Sequence, residues 1–308
     1  MSELDGTNNK QSTTKNNHPN SMKFIFKIIA GSIFIFAITG MYLTTLGTAD
    51  LRRNLTIEDD SSQKARALLE SCAKAHGQDA WKNIKTYSLN ITDEFFPPMG
   101  EFSHPFESDT VELNLTYVPN TYTGQMHFLS TRRKGRIWGI QGWKSYWIDK
   151  NGRVYYTESE NIKFWLPTYQ YFFEFPFRIL NADTTAYVGK DTIDDQICDG
   201  LLVSWNTLKP QRHIDQYVVW INQETQLIEK LDYTIRDAYN FLTGSIYYKD
   251  YQYFDEDILL PTRLPVESNL LKEGLLHEIK LTDFSRNKVA IGELMRNPNI
   301  KITGDRKD

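Results

Sequence analysis

From Thr86 to Asn287 the chain repeats one pattern: short stretches rich in aromatic and β-branched residues, each followed by a turn signal. YSLNITDEF (87–95), DTVELNLTYVP (109–119), TYTGQMHFLS (121–130) and RIWGIQGWKSYWID (136–149) begin the series. GSIYYKDYQYF (244–254), LLPTRLPVES (259–268) and LHEIKLTDFSRN (276–287) end it. Such stretches read as strands. SYWIDKNGRVYYT (145–157) is the plainest hairpin, with Asn151-Gly152 suited to a turn that needs positive φ. DQYVVWINQETQLIEKLDYTI (215–235) is a second, turning at Asn222 to Thr225. One helix precedes the strands: in SSQKARALLESCAKAHGQDA (61–80) apolar residues recur at helical spacing, and His76-Gly77 gives a stop signal. Trp81 is then set to pack back on the sheet. Many antiparallel strands with local connections make a meander, and a large twisted sheet tends to curl or split. The expected fold is therefore α+β: a curved antiparallel sheet, or half-open β-barrel, covered by the N-terminal helix.

Two further segments precede that domain. Residues 1–22 are polar and nearly free of large apolar side chains, so they cannot offset the entropy of ordering and read as a disordered tail. From Ile28 to Leu46 run nineteen residues without a charge. At about 1.5 Å per residue, with Phe24 to Lys27 added, they reach across a hydrocarbon core of about 30 Å. Residues 23–48 are thus expected to form one transmembrane anchor. Lys10, Lys15, Lys23 and Lys27 before the run outweigh Arg52 and Arg53 after it, which puts the N-terminus in the cytoplasm and the domain outside. The competing reading is a signal peptide cleaved near Ala49, which also exports the domain. The domain is expected over 60–295, followed by a weakly specified C-terminal tail, 296–308.

The densest aromatic stretch is FWLPTYQYFFEFPFRIL (164–180), in which eight of seventeen residues carry aromatic rings. Pro167 and Pro176 argue against one regular helix or a central strand there. Phe164, Trp165, Tyr169, Tyr171, Phe172, Phe173, Phe175 and Phe177, with Trp147 from the strand region, are candidates for the wall or lid of a hydrophobic ligand site. Alternatively, the same rings fill the barrel interior as core.

Other signals point to no chemistry. A net charge of −4 gives no general footprint for nucleic acid. Cys72 and Cys198 show no metal-ligand spacing; either they are buried thiols or, outside the cytoplasm, they pair. Asp191, Asp194, Asp195 and Asp199 do not match a calcium loop and read as a solvated turn before a strand. His277-Glu278 begins like a zinc-protease motif, but Leu281 stands where the second His is needed. No nucleophile elbow or phosphate loop is present. Arg132, Arg133, Lys134 and Arg136 read as a solvated hairpin tip, or as a contact for anionic headgroups. Asn54, Asn90 and Asn114 match the glycosylation sequon by chance composition. No enzyme, metal or cofactor is expected.

Several stretches together carry a resemblance: AKAHGQDAWKNIKTYSL (73–89), FFEFPFRILNADTTAYVGKDTIDDQICDGLLVSW (172–205), DQYVVWINQETQLIEKLDYTI (215–235) and YKDYQYFDEDILLPTRLPVE (248–267). In order and spacing they resemble an uncharacterised family of bacterial envelope proteins related to the outer-membrane lipoprotein carrier (LolA-like) superfamily. The resemblance implies a curved antiparallel sheet closed by helices, whose inner face binds a lipid or a lipoprotein acyl chain, without catalysis. A tethered chain departs from the freely shuttling carriers, so the implied place of action is the inner membrane, with the domain in the periplasm. The alternative is a non-catalytic module that binds a protein partner.

Overall fold

The computed structural model describes residues 47–57, 61–255, 257–269 and 274–302. The tail 1–22, nearly all of the expected anchor 23–48, and residues 303–308 lie outside them. Among the described residues no helix is long and apolar enough to cross a membrane.

The predicted strands form, and all of them join one antiparallel, curved sheet. They are β1 (Tyr87–Phe95), β2 (Thr110–Tyr117), β3 (Gly124–Phe128), β4 (Ile137–Gln141), β5 (Lys144–Ile148), β6 (Val154–Thr157), β7 (Thr184–Ile193), β8 (Gln196–Ser204), β9 (Tyr217–Asn222), β10 (Ile228–Thr234), β11 (Thr243–Tyr247), β12 (Lys249–Phe254), β13 (Ile258–Ser268) and β14 (His277–Arg286). Their order is β6-β5-β4-β3-β2-β1-β14-β13-β11-β10-β9-β8-β7, with β12 paired to β13. β1 shows strict alternation: Tyr87, Leu89, Ile91, Asp93 and Phe95 are buried and the residues between them half-buried. That is the signature of a strand with one face on the core.

Some elements differ from expectation. The stretch 136–149 is two strands, because Gly142 (φ 52°) and Trp143 (φ 59°) make a tight turn of the kind that matches strand twist. The stretch 244–254 is likewise divided at Tyr248 into β11 and β12. In the β5–β6 hairpin only Gly152 takes positive φ (80°); the Asp149 carboxylate accepts from the backbone N–H groups of Asn151 and Arg153 and so shapes a longer loop. The N-terminal helix, α1 (Ser61–Ala75), stops earlier than residue 80. Gly77 turns the chain at φ 92°, and a Cβ there would stand 2.2 Å from the Asp257 carbonyl oxygen. After a single helical turn, Trp81 stacks on Phe177 at 4.5 Å and tilts against Tyr87 at 5.1 Å.

The second long helix is the largest correction. The stretch with Pro167 and Pro176 is one continuous α-helix, α2 (Glu160–Arg178). β6 and β7 occupy opposite edges of the sheet, so the segment joining them must cross from edge to edge. It crosses on the inner face, where α1 and α2 and that face enclose the main core. α1 is therefore not the principal cover: it buries Ala65, Leu69, Cys72 and Ala73 along β7, while α2 fills the interior.

A smaller cluster lies on the other face: Val188, Ile193, Cys198, Leu202, Val218 and Trp220. Cys72 and Cys198 are buried free thiols in these two different clusters. Both flanks of the described domain, residues 49–55 and 290–302, dock on the sheet. Leu51 and Leu55 cover the smaller cluster. Residues 290–302 strap β3 to β6: Gln141 Nε2 donates to the carbonyls of Asn297 and Ile300, and Gln125 Nε2 donates to that of Glu293. The expected tail beginning at 296 is thus ordered at least to residue 302.

Candidate functional site

Local sequence starts and ends α2. Ser159 caps its N-terminus by accepting from the Ile162 N–H, Glu160 lies in the first turn and Arg178 in the last, each matched to the helix dipole. An interior proline removes the N–H that would serve the carbonyl four residues earlier. For Pro176 that carbonyl belongs to Phe172, and the Tyr248 hydroxyl donates to it at 2.9 Å. A side chain from the loop between β11 and β12 therefore stands in for the missing backbone donor, and the helix runs on. The Tyr117 hydroxyl likewise donates to the Leu166 carbonyl at 2.9 Å.

The second half of α2 is buried on all sides from Phe172 to Arg178. A polar stripe at helical spacing, Gln170, Glu174 and Arg178, runs through it with no solvent exposure. Glu174 is saturated: one oxygen accepts from the Tyr87 hydroxyl and Gln170 Nε2, both at 2.8 Å, and the other from the Asn120 N–H at 2.9 Å and Arg178 Nε at 2.6 Å. Arg178 also donates to the Thr121 carbonyl at 2.6 Å and lies 4.4 Å from the Tyr122 ring. Burial, and then the Glu174 charge, push the Tyr87 hydroxyl well above its usual range, so it remains a donor. This network pins the helix to β1 and to the β2–β3 turn.

The first half of α2 meets a ring of aromatic groups at one end of the interior. Trp165 lies 5.7 Å from Phe95 and 5.3 Å from Phe106. Phe95 is stacked between His104 at 4.0 Å and His277 at 5.0 Å. The buried Asp93 carboxylate engages His277 Nδ1 at 2.8 Å and accepts from the Tyr169 hydroxyl at 2.6 Å. His104 Nδ1 accepts from the Phe106 N–H, so the neutral ring carries its proton on Nε2, 3.7 Å from Asp109 and beyond hydrogen-bond range. Burial lowers the His104 pKa. Phe164, Trp138, Trp147 and Tyr155 are only half-buried and border this ring. Trp147 stacks on Tyr155 at 4.2 Å, and Arg133 lies over Trp138 at 4.8 Å.

The nine expected ligand-site residues thus fall into two groups. Phe172, Phe173, Phe175 and Phe177 are in the closed half, with Tyr171 half-buried against Tyr217 at 5.6 Å. Trp165, Tyr169, half-buried Phe164 and Trp147 are at the ring of aromatic groups. Among the described residues one surface depression lies at Asn83, Asp257 and Arg286 and another at Lys144, Tyr156 and Ile300, and none of the nine lines either. Missed by the sequence reading were Phe95, His104, Phe106, Trp138, Tyr117 and Tyr248. The inward positions of the predicted strands could have signalled Phe95, Tyr117 and Trp138; nothing local signals the rest. His277 lies on a strand and serves Asp93, and among the described residues no group of three or more His, Cys, Asp or Glu is placed to hold a metal ion. Asp194 (φ 47°) and Asp195 (φ 64°) form the expected turn, but Asp199 is buried, accepting from the Tyr187 hydroxyl at 2.7 Å and from Gln223 Nε2.

No protein-family model and no curated protein matches the chain in sequence. Solved structures do match its fold. A domain described by outer membrane lipoprotein sorting, from Vibrio parahaemolyticus, superposes over 75% of this chain and 96% of its own with a TM-score of 0.50 at 10% identity. A DUF1329 family protein from Desulfovibrio piger superposes over 75% of this chain and 97% of its own with a TM-score of 0.51 at 11% identity. A LolA superfamily protein from Nitrosomonas europaea covers 73% of this chain and 94% of its own, at 12% identity and a TM-score of 0.49. At 10% and 11% identity the first two of these structures share with this chain the fold that the expected resemblance implied, a curved antiparallel sheet with helices.

Proposed function

We propose that this chain is a membrane-tethered envelope protein whose domain lies outside the cytoplasm and binds one hydrophobic ligand of the acyl type, from a lipid or a lipoprotein. The ligand enters at the aromatic mouth, between the inner face of β3 to β6 and the first half of α2. One observation carries this reading: the two halves of α2 are held unequally. The second half is fixed by a saturated buried ion pair, whereas the first is held by aromatic contact, by one bond from the Tyr117 hydroxyl to the Leu166 carbonyl and, at its inner limit, by the Tyr169–Asp93 bond. Pro167 lies between them and denies the Lys163 carbonyl its helical donor. Residues 160–165 can therefore shift ahead of that weak point and uncover Trp165, Phe95 and Phe106 without disturbing Glu174 or the Tyr117–Leu166 bond. Apolar walls with few polar groups suit an acyl chain. The shared fold includes a domain described by lipoprotein sorting, which makes an acyl ligand the first class to test.

Native mass spectrometry of the full chain, taken from membranes and subjected to lipid extraction, tests the proposal. The expected result is a co-purifying acyl species, diminished by Phe164→Glu and by Trp147→Ala, while both variants remain folded. A chain that stays unliganded when phospholipid is added removes the ligand reading. It would favour a second one, a non-catalytic module for a protein partner, which is supported by how fully α2 occupies the interior in this structure.

A further inference from the structure

The segment that follows the apolar run is part of the domain surface. The Ala49 N–H donates to the Asn240 carbonyl at 2.8 Å. Arg236 grips both groups, donating through Nη2 to the Ala49 carbonyl and through Nη1 to that of Asn240, each at 2.6 Å. The Leu51 N–H donates to Gln216 Oε1 at 3.1 Å, Gln216 Nε2 donates back to Asp50 at 3.3 Å, and Asp50 pairs with Arg52 at 2.8 Å. Leu51 and Leu55 then cover the outer apolar cluster. This segment is a fixed strap rather than a free linker.

Only Gly47 and Thr48 separate Ala49 from the uncharged run Ile28–Leu46. Three Cα–Cα steps of about 3.8 Å give a reach of about 11 Å at most. The loop that holds Ala49, residues 236–241, carries an aromatic tip at this point: Tyr239 is 60% exposed and stacks on Phe241 at 5.5 Å. Asn269 Nδ2 donates to the Phe241 carbonyl at 3.0 Å and holds the loop from its other side. Exposed Arg53 on the strap adds a positive charge.

We infer that the loop 236–241 is a lipid-contact surface, with Tyr239 and Phe241 in the headgroup layer of the bilayer that takes the apolar run. The inference rests on the proposed reading of that run as an uncleaved anchor. Tyr is suited to this layer because its ring is apolar and its hydroxyl is wet. A protein anchored through a strap this short has little freedom to lift the loop away.

The test uses the full chain in nanodiscs of phosphatidylcholine and phosphatidylglycerol, with and without a spin-labelled phosphatidylcholine. An environment-sensitive fluorophore is placed at Tyr239→Cys and, separately, at Tyr253→Cys, a residue 68% exposed on β12. Cys72 and Cys198 are buried, so labelling is directed to the new thiol. For a group in the headgroup layer the expected result is quenching of about twofold or more at 239 by the spin label and little at 253. Retained protein with no quenching at 239, or with equal quenching at both positions, overturns the proposal. Blue-shifted emission at 239 without quenching would assign the loop to a protein partner and also overturns it. Chain recovered free of the nanodisc shows that the anchor reading itself has failed, and the lipid-contact proposal falls with it.

Discussion

The two halves of α2 both bury aromatic rings and hold them by different means. From Gln170 to Arg178 the helix is fixed by directed bonds: Glu174 has four partners, and Tyr248 repairs the break at Pro176. From Glu160 to Pro167 there is one directed bond from the barrel, Tyr117 to the Leu166 carbonyl, beside contacts of ring against ring, and the rim residues Phe164, Trp147 and Trp138 remain half-buried. Aromatic contact is short-ranged but tolerant of sliding, whereas a saturated buried ion pair permits one arrangement only. The comparison teaches that a helix filling a barrel need not be uniformly fixed. One half can be framework while the other is the part that yields to a ligand.

The framework half should show the largest losses. Glu174→Ala leaves Arg178 buried with no carboxylate and is expected to cost about 3–5 kcal/mol, read from urea unfolding. Phe164→Ala should cost much less; an equal cost would erase the distinction between the halves. Next comes Tyr248→Phe, which strips the Phe172 carbonyl of its donor and should cost about 1–3 kcal/mol. In a Pro176→Ala background the restored N–H serves that carbonyl, so the penalty should fall below about 1 kcal/mol. A penalty unchanged by the background would mean that Tyr248 acts through packing alone.

Two titratable groups shifted by burial, His76 and Asp215, extend the comparison to pH. His76, at the end of α1, has no exposed surface; its Nε2 accepts from the Ile228 N–H, which leaves Nδ1–H to donate to the Leu259 carbonyl. Burial lowers its pKa from 6.5 to about 4. The unfolded chain then binds the extra proton first as pH falls from 6.5, so stability is lost between pH 6.5 and 4 and levels off below. The loss at pH 5 relative to pH 7.5 is about 2 kcal/mol. Asp215, raised by burial to about 6, acts in the opposite sense, losing stability as pH rises from 3.8 to 6. The difference in pH dependence between the native chain and His76→Gln isolates the histidine term; parallel curves would show that His76 is not the titrating group. The smallest stability effect is expected from Phe164→Ala, within about 1 kcal/mol. Its readout is acyl-probe uptake, which should weaken. Uptake unchanged by Phe164→Ala and Trp147→Ala would move the entry point away from the mouth.

The strands were the legible part of the fold, because alternation of apolar and polar residues is local information. Tyr87 to Phe95 needed no partner to be read correctly. Turns were legible where glycine is needed, as at Gly77 and Gly152, and less so at Trp143, which takes positive φ without being a residue that favours it. The aromatic stretch was read either as the wall or lid of a site or as core, and incorrectly as an irregular segment. The rule that proline ends a helix was applied to Pro176 without its compensating donor, which lies 72 residues further along the chain. The candidate site was legible on its α2 side and at Trp147. Phe95 closes β1, His104 and Phe106 come to it through the connection between β1 and β2, and the Asp93–His277 pair spans 184 residues.

What the sequence determined by itself was the alternation that sets the strands, the helical spacing of α1 and the concentration of rings between β6 and β7. These depend on neighbours a few residues apart, where backbone geometry alone relates side chains to one face or another. Only the tertiary structure decided where those rings go. Strand order puts β6 and β7 at opposite edges, so their connection crosses the inner face and is buried there. Burial then makes every unpaired backbone and charged group costly, and the partners that satisfy them, Tyr248 for Phe172 and Tyr87 and Asn120 for Glu174, are chosen by proximity in space rather than in sequence.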